Sequence, residues 1–171
     1  TETISLNALI ENPSVTVLAQ RPGPATGLPT WTAQGDLLLA VGAAHGEFPR
    51  LVMAVSDSKD SFDLMPEAFN YAEEFQTPVV VLTDKQIAEA LWTQASFDFT
   101  KATLRRGSLV TSPDELKKLR STDRYDPDAK DGISARWLPG SCAAAYCAQG
   151  DEHDREGNVD ESAPKAKAQM E

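Results

Sequence analysis

The sequence predicts an α/β fold in three layers, with a small parallel sheet between helices. Three short runs of mostly apolar residues predict the strands, and they cover Val15–Ala19, Leu51–Val55 and Val79–Thr83. Runs that are apolar on both faces are typical of parallel strands covered by helices on two sides. Helical patterns with capping residues separate these runs, and right-handed crossovers then make the sheet parallel.

A short helix is predicted before the first strand, from four apolar residues at helical spacing: Ile4, Leu6, Leu9 and Ile10. Pro13 ends this helix, because the residue before a proline disfavours the helical region. An α/β unit normally begins with a strand, so we expect one edge of the sheet to be bare. The first residue is Thr rather than Met, and we expect the chain to be processed or cut from something larger.

The second helix is predicted over roughly residues 32–44, with Thr30 or Thr32 as its cap. Its core side carries Leu37, Leu38 and Val41.

The third helix is predicted after a cap within Ser56–Ser58. Its core stripe is Phe62, Met65, Phe69, Ala72 and Phe75. We interpret this stripe as core and not as a cofactor-binding motif. Pro66 interrupts the pattern and predicts a kink or a restart, because proline removes a helical hydrogen bond. Asp84 is predicted to cap a fourth helix over residues 85–92.

The later part of the chain has a different character. Phe97, Phe99 and Leu104 are predicted to anchor an extended strap, and Ser112 to cap a short helix. Residues 121–131 are predicted to form a mobile loop, followed by an apolar island at residues 132–140. Residues 143–148 are predicted to form a short strand, and the last ten residues to be weakly ordered.

Composition excludes several classes of function. The chain has 171 residues, which predicts one domain plus a tail, or one and a half domains. The formal net charge is −10, and nucleic-acid binders need a basic face. No apolar run approaches the roughly 20 residues that span a bilayer, so no membrane partner is expected. The two cysteines, Cys142 and Cys147, are too few for an iron–sulfur cluster carried by this chain alone, and they favour a cytoplasmic setting.

The segment Arg21–Thr30 follows the first predicted strand and is the strongest candidate for a functional loop. It contains three prolines and two glycines, which give it a stiff, defined shape. Ligands of open α/β sheets bind outside the carboxyl ends of the strands. The planar guanidinium of Arg21 suits a carboxylate or a phosphate there. Pairing of Arg21 with an acidic neighbour, and helix capping by Thr26 and Thr30, are the structural alternatives.

The Arg21–Thr30 segment closely resembles a loop in the alpha subunit of the 2-oxoacid:ferredoxin oxidoreductases, and most closely that of the 2-oxoglutarate branch. Further stretches resemble that subunit in the same order: Thr1–Ser5, Gln34–Leu38, Gly46–Arg50, Glu67–Asn70, Gln76–Val80, Asp131–Ser134 and Glu152–Asp154.

The resemblance implies that residues 1–95 are the C-terminal portion of a pyrimidine-type thiamine-binding domain and that residues 96–171 are a linker of irregular α+β structure. It implies an enzyme that oxidatively decarboxylates a 2-oxoacid to an acyl-coenzyme A. Arg21, Thr30 and Thr26 are expected to bind the 2-oxoacid. Thiamine diphosphate with Mg²⁺ and an iron–sulfur cluster are expected in the assembled complex, mostly on partner chains. The expected partners are a beta subunit, ferredoxin and coenzyme A.

The sequence also departs from the family's pattern. The cofactor-contacting segment rich in Tyr, Pro and Thr, the activating Glu and the domain after the linker have no match here. We therefore expect a partial chain that binds no cofactor and has no turnover by itself. The alternatives are a non-catalytic assembly module with the same fold and a free-standing small-molecule-binding domain.

Three other groups of residues have both a functional and a structural interpretation. His45 is interpreted as structural, although it is positioned to titrate near a bound acid. Residues 151–154 (Asp-Glu-His-Asp) invite a metal site, but their spacing matches no zinc or EF-hand motif, and a solvated turn is favoured. Lys101, Arg105 and Arg106 are interpreted as a solvated face or an intersubunit contact.

Overall fold

The computed structural model describes residues 2–170 of the chain, with the side chains of residues 2–168. Two compact units divide it: the first runs to Arg105 and the second begins at Arg106. No helix among the described residues is both long enough and apolar enough to cross a membrane.

The first unit contains the predicted alternation of helices and strands. Its elements are α1 (Glu2–Leu9), β1 (Ser14–Gln20), α2 (Leu37–Gly42), β2 (Leu51–Ala54), α3 (Ser58–Phe75), β3 (Pro78–Asp84) and α4 (Lys85–Glu89). The strands form one parallel sheet in the order β1-β3-β2. Val79 of β3 aligns with Val15 on one side and with Leu51 on the other. The three strands and the parallel sheet are therefore confirmed.

The central strand β3 is buried on both faces, and each face has its own core. Val79 and Val81 pack with Ala68 and Ala72 of α3 on one face. Val80 and Leu82 pack against Ala40 of α2 on the other. This alternation follows from the two-residue period of a strand. It confirms the three-layer arrangement.

Strand β1 is less covered than its sequence predicts. Val17 is 53% exposed, although the run Val15–Ala19 is apolar on both faces. The physical reason is position: β3 lies between the other two strands, and β1 lies at an edge of the described sheet. The expectation of a bare sheet edge is consistent with this exposure.

Helix α2 is shorter than predicted, and its predicted core side is wrong. Asp36, and neither Thr30 nor Thr32, occupies the N-cap position. Leu37 and Leu38 are 54% and 85% exposed, and Val41 is also exposed. The sheet receives only the small side chain of Ala40, because a six-residue helix turns few positions toward a neighbour.

Helix α3 begins as predicted, with the Asp57 carboxylate accepting a hydrogen bond from the Asp60 backbone N–H at 2.8 Å. It runs without a break through Pro66, so the predicted restart is wrong, and a kink there stays a prediction. The predicted core stripe is only partly correct, because Phe69 and Phe75 are more than half exposed. The face that meets the sheet carries Leu64, Met65, Ala68, Tyr71 and Ala72.

The predicted strap lies on α3 through its two phenylalanines, but the prediction that Leu104 anchors it is wrong, since Leu104 is 78% exposed. Phe97 stacks on Phe62 with ring centroids 4.4 Å apart, and Phe99 meets the same ring edge-on at 5.0 Å. Asp84 caps α4 as predicted, although α4 ends at Glu89 rather than near Trp92.

Within the described residues, the second unit holds two α-helices, α5 (Pro113–Leu116) and α6 (Ala163–Met170), and two short 3-10 helices at Ser121–Asp123 and Lys130–Gly132. Trp137, in the predicted apolar island, is 3% exposed and lies edge-on to Tyr146 at 5.1 Å. Arg124 and Tyr125 are also buried, so the prediction of a mobile loop over residues 121–131 is wrong there. The Arg124 guanidinium lies over the ring of Tyr125, 4.5 Å from the ring centroid. This cation–π contact was not predicted, because a charged residue in a sequence is usually taken to be exposed.

One further expectation for the second unit is wrong. Residues 143–148 form no strand, and the pairing described in this unit consists of the isolated bridges Leu109–Arg136 and His153–Val159. Helix α6 lies within the last ten residues, and the weak order expected of them stays a prediction. Alanine, lysine and glutamine have high helix propensity, which outweighs the polarity of the segment.

Candidate functional site

The segment Arg21–Thr30 leaves the carboxyl end of β1, as predicted. Because all three strands are parallel, the carboxyl ends of β1, β3 and β2 lie at the same edge of the sheet. The Leu28 backbone N–H donates to the Pro22 carbonyl at 3.0 Å and folds the segment back on itself. Gly27, with φ of +54°, permits this turn. The Gly23–Pro24 peptide is cis.

Arg21 is exposed on this loop. Its Nε donates to the Thr26 backbone carbonyl at 2.9 Å, which holds the base of the guanidinium. Its two terminal nitrogens make no hydrogen bond and no ion pair with any residue among 2–168. The structural alternative, pairing with an acidic neighbour, is therefore not seen in the described part of the chain.

Thr26 and Thr30 occupy different places in the loop. Thr26 contacts Arg21 through its backbone carbonyl, not through its hydroxyl. Thr30 is exposed in a turn and makes no hydrogen bond with Arg21. Within residues 2–168 neither hydroxyl has a hydrogen-bond partner, and neither threonine caps a helix. Within the described residues, the structure thus joins the Thr26 backbone to Arg21 by a hydrogen bond and shows none between Thr30 and Arg21.

Side chains at the ends of the strands fasten the loop to the sheet, and sequence reasoning missed this role. Gln20 is 5% exposed; its Oε1 accepts from the Asp36 backbone N–H at 2.9 Å, and its Nε2 donates to the Thr83 carbonyl at 3.3 Å. The Gln34 Nε2 donates to the Asp84 Oδ2 at 2.9 Å. The only sequence signal was indirect, since Gln34 belongs to a stretch that resembles the family.

The two carboxylate oxygens of Asp84 accept hydrogen bonds from different parts of the chain. Oδ1 accepts from the Ile87 backbone N–H at 2.8 Å and caps α4, while Oδ2 accepts from Gln34. The hydrogen bond from Gln34, followed by that from Ile87, holds the pKa of Asp84 below its usual value, against the opposing effect of burial. Asp84 is therefore a buried anion at neutral pH that links β3, α4 and the loop.

His153 and Asp154 have structural roles, whereas the interpretation of His45 as structural stays a prediction. His45 is exposed. His153 is 5% exposed and lies 4.2 Å from the Tyr125 ring, so it is buried rather than part of a solvated turn. Asp154 accepts from the backbone N–H groups of Glu156 and Asn158 at 2.8 and 3.0 Å and shapes a turn. Among the described residues, no group of three or more His, Cys, Asp or Glu side chains is arranged to hold a metal ion.

The three residues of the basic cluster, Lys101, Arg105 and Arg106, have different surroundings in the structure. Lys101 is exposed, as a solvated face requires. Arg105 instead forms ion pairs with Glu67 at 2.9 Å and Glu74 at 2.5 Å, so its charge is paired within the chain, and its part in an intersubunit contact stays a prediction. The Arg106 carbonyl accepts from the Arg136 guanidinium at 3.2 Å.

Known proteins similar to this chain are 2-oxoacid:ferredoxin oxidoreductases. The alpha subunit of such an enzyme, number 2 of Aeropyrum pernix, is 40% identical over 94% of this chain and 24% of its own length. A 2-oxoglutarate synthase subunit of Archaeoglobus fulgidus is 44% identical over 46% of this chain and 22% of its own length. This chain thus spans about a quarter of the length of these relatives.

A solved structure is similar over nearly the whole chain. It is the 2-oxoglutarate:ferredoxin oxidoreductase of Magnetococcus marinus with 2-oxoglutarate, coenzyme A and succinyl-CoA bound. The TM-score is 0.87 at 31% identity, over 99% of this chain and 28% of that one. The model of the thiamine diphosphate-binding domain of pyruvate flavodoxin/ferredoxin oxidoreductases matches residues 1–171. The chain therefore belongs to this domain family.

Proposed function

We propose that this chain is part of the alpha subunit of a 2-oxoacid:ferredoxin oxidoreductase whose substrate is 2-oxoglutarate, and that Arg21 binds a carboxylate of that substrate. The observation that carries the proposal is the unpaired guanidinium edge of Arg21 at the carboxyl edge of a parallel sheet. The names of the relatives and of the similar structure support the reaction class.

In this reaction a 2-oxoacid loses carbon dioxide, its acyl group passes to coenzyme A, and ferredoxin accepts the electrons. Arg21 contributes binding: its two terminal nitrogens donate parallel hydrogen bonds to a carboxylate. The Thr26 carbonyl holds Nε, so that less side-chain freedom is lost when the substrate binds. In the same proposal the Thr30 and Thr26 hydroxyls complete the contact and orient the 2-oxoacid.

The chain's own residues do not fit a complete thiamine diphosphate site. A cavity of about 260 Å³ lies on the α3 face of the sheet, but its lining is mainly apolar, including Val17, Met65, Val81 and Ile87. No carboxylate lines it to polarise an aminopyrimidine, and the described residues contain no cluster for Mg²⁺. We therefore propose that partner chains, including a beta subunit, hold the cofactor, its Mg²⁺ and the iron–sulfur cluster. The setting in this proposal is the cytoplasm.

Substitution of Arg21 tests the proposal in the enzyme assembled with its beta subunit. Arg21→Ala removes the charged donor, and we expect KM for 2-oxoglutarate to rise about 10- to 100-fold, since a hydrogen bond between charged groups contributes about 1.5–3 kcal/mol. Arg120→Ala is the matched control, because Arg120 is an exposed arginine whose partner is Asp123 at 2.9 Å. Unchanged KM and kcat in Arg21→Ala would refute the role of Arg21.

A non-catalytic assembly module is the second candidate. The exposed leucines of α2, residues 37–39, favour it, because large apolar side chains gathered on a surface mark contact sites. This candidate predicts that Arg21→Ala leaves the kinetics unchanged, whereas substitution of these leucines weakens assembly.

A further inference from the structure

Two sets of hydrogen bonds hold the loop from Arg21 to Gly35. One set lies within the loop, and the other ties the loop to the sheet. Within the loop, the Leu28 N–H donates to the Pro22 carbonyl and the Trp31 N–H donates to the Leu28 carbonyl, each at 3.0 Å. These bonds define the shape of the loop but do not fix its position on the sheet. Its position depends on the leg that returns to α2, residues 32–36.

The returning leg is tied to the strand ends by side-chain hydrogen bonds. The Asp36 backbone N–H reaches buried Gln20 at the end of β1. Gln34 reaches Asp84 at the end of β3 at 2.9 Å. The Thr32 hydroxyl accepts from the Gln86 backbone N–H at 3.4 Å, which is a long and weaker contact. The Thr32 side chain also contributes a hydrogen bond to Asp84, but the hydrogen bond from Gln34 has the larger effect on the pKa of that carboxyl. Hydrogen bonds to an ionised partner are roughly twice as strong as neutral ones.

We propose that Asp84 is a positioning residue for the substrate loop, acting through Gln34 to hold Arg21 in register with the carboxyl edge of the sheet. This inference rests on the proposed function, since it takes Arg21 as the substrate contact. One carboxylate performs two tasks: Oδ1 caps α4, and Oδ2 holds the loop. Displacement of a binding group by about 1 Å is enough to weaken a reaction strongly.

Asp57 provides an internal comparison. It lies three residues after the end of β2, whereas Asp84 is the last residue of β3. Like Asp84 it is an N-cap residue, and its Oδ1 accepts from the Asp60 N–H at 2.8 Å. Its Oδ2 makes no hydrogen bond with residues 2–168. Asp57 thus caps a helix but holds no loop, so a substitution at Asp57 controls for changes in helix capping.

The test exchanges the donor and the acceptor of the hydrogen bond between Gln34 and Asp84, and it uses the assembled enzyme. Gln34→Glu places two carboxylates together, and we expect KM for 2-oxoglutarate to rise about tenfold or more with kcat changed less than about threefold. Adding Asp84→Asn should restore KM, because the new amide keeps its oxygen on Ile87 and donates its N–H₂ to the new carboxylate. Adding Asp57→Asn to Gln34→Glu should not restore KM.

Hydrogen exchange of the amides of residues 21–36 is the second measurement, and it does not depend on turnover. We expect faster exchange in Gln34→Glu and restoration only in the double variant with Asp84→Asn. Unchanged exchange and KM in Gln34→Glu, or equal rescue by Asp57→Asn, would overturn the tether. Faster exchange with unchanged KM would support the tether and refute substrate binding by the loop.

Discussion

At the residue scale, Gly27 has little freedom to vary. Its φ is +54°, and a Cβ placed there would lie 1.8 Å from the Pro22 carbonyl oxygen, within the hydrogen-bonded turn that shapes the loop. Both restrictions are backbone restrictions, so no side-chain adjustment relieves them. The turn and the carbonyl that holds Arg21 belong to the same short segment.

We expect Gly27→Ala to open this turn. The cost is about 1–3 kcal/mol, the usual range for a strained backbone, and the exposed loop relaxes by changing shape. The expected results are faster hydrogen exchange at Leu28 and a higher KM for 2-oxoglutarate in the assembled enzyme. Gly35→Ala is the control, because nothing lies within 4 Å of a Cβ there and its φ is not left-handed. Equal behaviour of the two variants would contradict the argument.

At the element scale, the strap is fastened to α3 by polar contacts as well as by its aromatic rings. Asn70 is 1% exposed; it accepts from the Arg105 backbone N–H at 2.8 Å and donates to the Thr103 carbonyl at 2.9 Å. The Arg105 side chain binds Glu67 and Glu74. Residues that look like a polar helix face in the sequence thus hold the last residues of the first unit.

We expect the ion pairs of the strap to weaken in acid. Hydrogen bonding to Arg105 holds the pKa of Glu67 below its usual value of 4.5. A carboxyl with a lowered folded-state pKa stabilises the fold above the unfolded-state pKa, and that contribution is lost as pH falls through the folded-state pKa. Both side chains are 37% exposed, so the contribution is at most about 1 kcal/mol.

Urea unfolding between pH 7 and pH 3 measures this effect. The difference in free energy of unfolding between the natural chain and Arg105→Ala should be present at pH 7 and shrink below about pH 4. Lys117→Ala serves as the control, since its ion pair with Asp114 is far more exposed and should contribute less at any pH. A difference that is constant over this range would show that Arg105 acts through packing alone.

At the scale of the whole molecule, α2 presents more apolar surface than a small domain usually exposes. Leu37, Leu38, Leu39 and Val41 are each more than half exposed, and Leu28 and Trp31 of the loop are exposed as well. Exposed apolar side chains gathered in one segment indicate a surface that is covered in an assembly. The formal net charge of −10 opposes association of identical chains, but salt screens it.

We expect the purified chain to self-associate at physiological salt, and Leu38→Lys to reduce this association. Leu38 is 85% exposed, so the substitution removes apolar surface without disturbing the core. Leu91→Lys is the control, because Leu91 is fully exposed but lies outside α2. Light scattering gives the molar mass of each variant. A monodisperse monomer for the natural chain would contradict this prediction and favour a free-standing binding domain.

Sequence reasoning was most successful where a local pattern coincides with what the fold buries. The run of residues 79–83 is apolar on both faces, and β3 proved to be the covered central strand. The caps at Asp57 and Asp84 were predicted because capping is a contact between near neighbours in the sequence. The same reasoning failed for Leu37 and Leu38, because apolar spacing does not reveal whether the chain supplies a neighbour to cover them.

By itself, the sequence determined the three strands, the order in which helices alternate with them, and the loop that carries Arg21 at the end of the first. Only the tertiary structure decided that β3 lies between β1 and β2, that Asp84 binds Gln34, and that Arg105 joins Glu67. The physical reason is the separation of the interacting residues along the sequence. Propensity, capping and turn formation act between near neighbours, whereas these pairings join residues at least 28 positions apart and form only when the sheet has assembled.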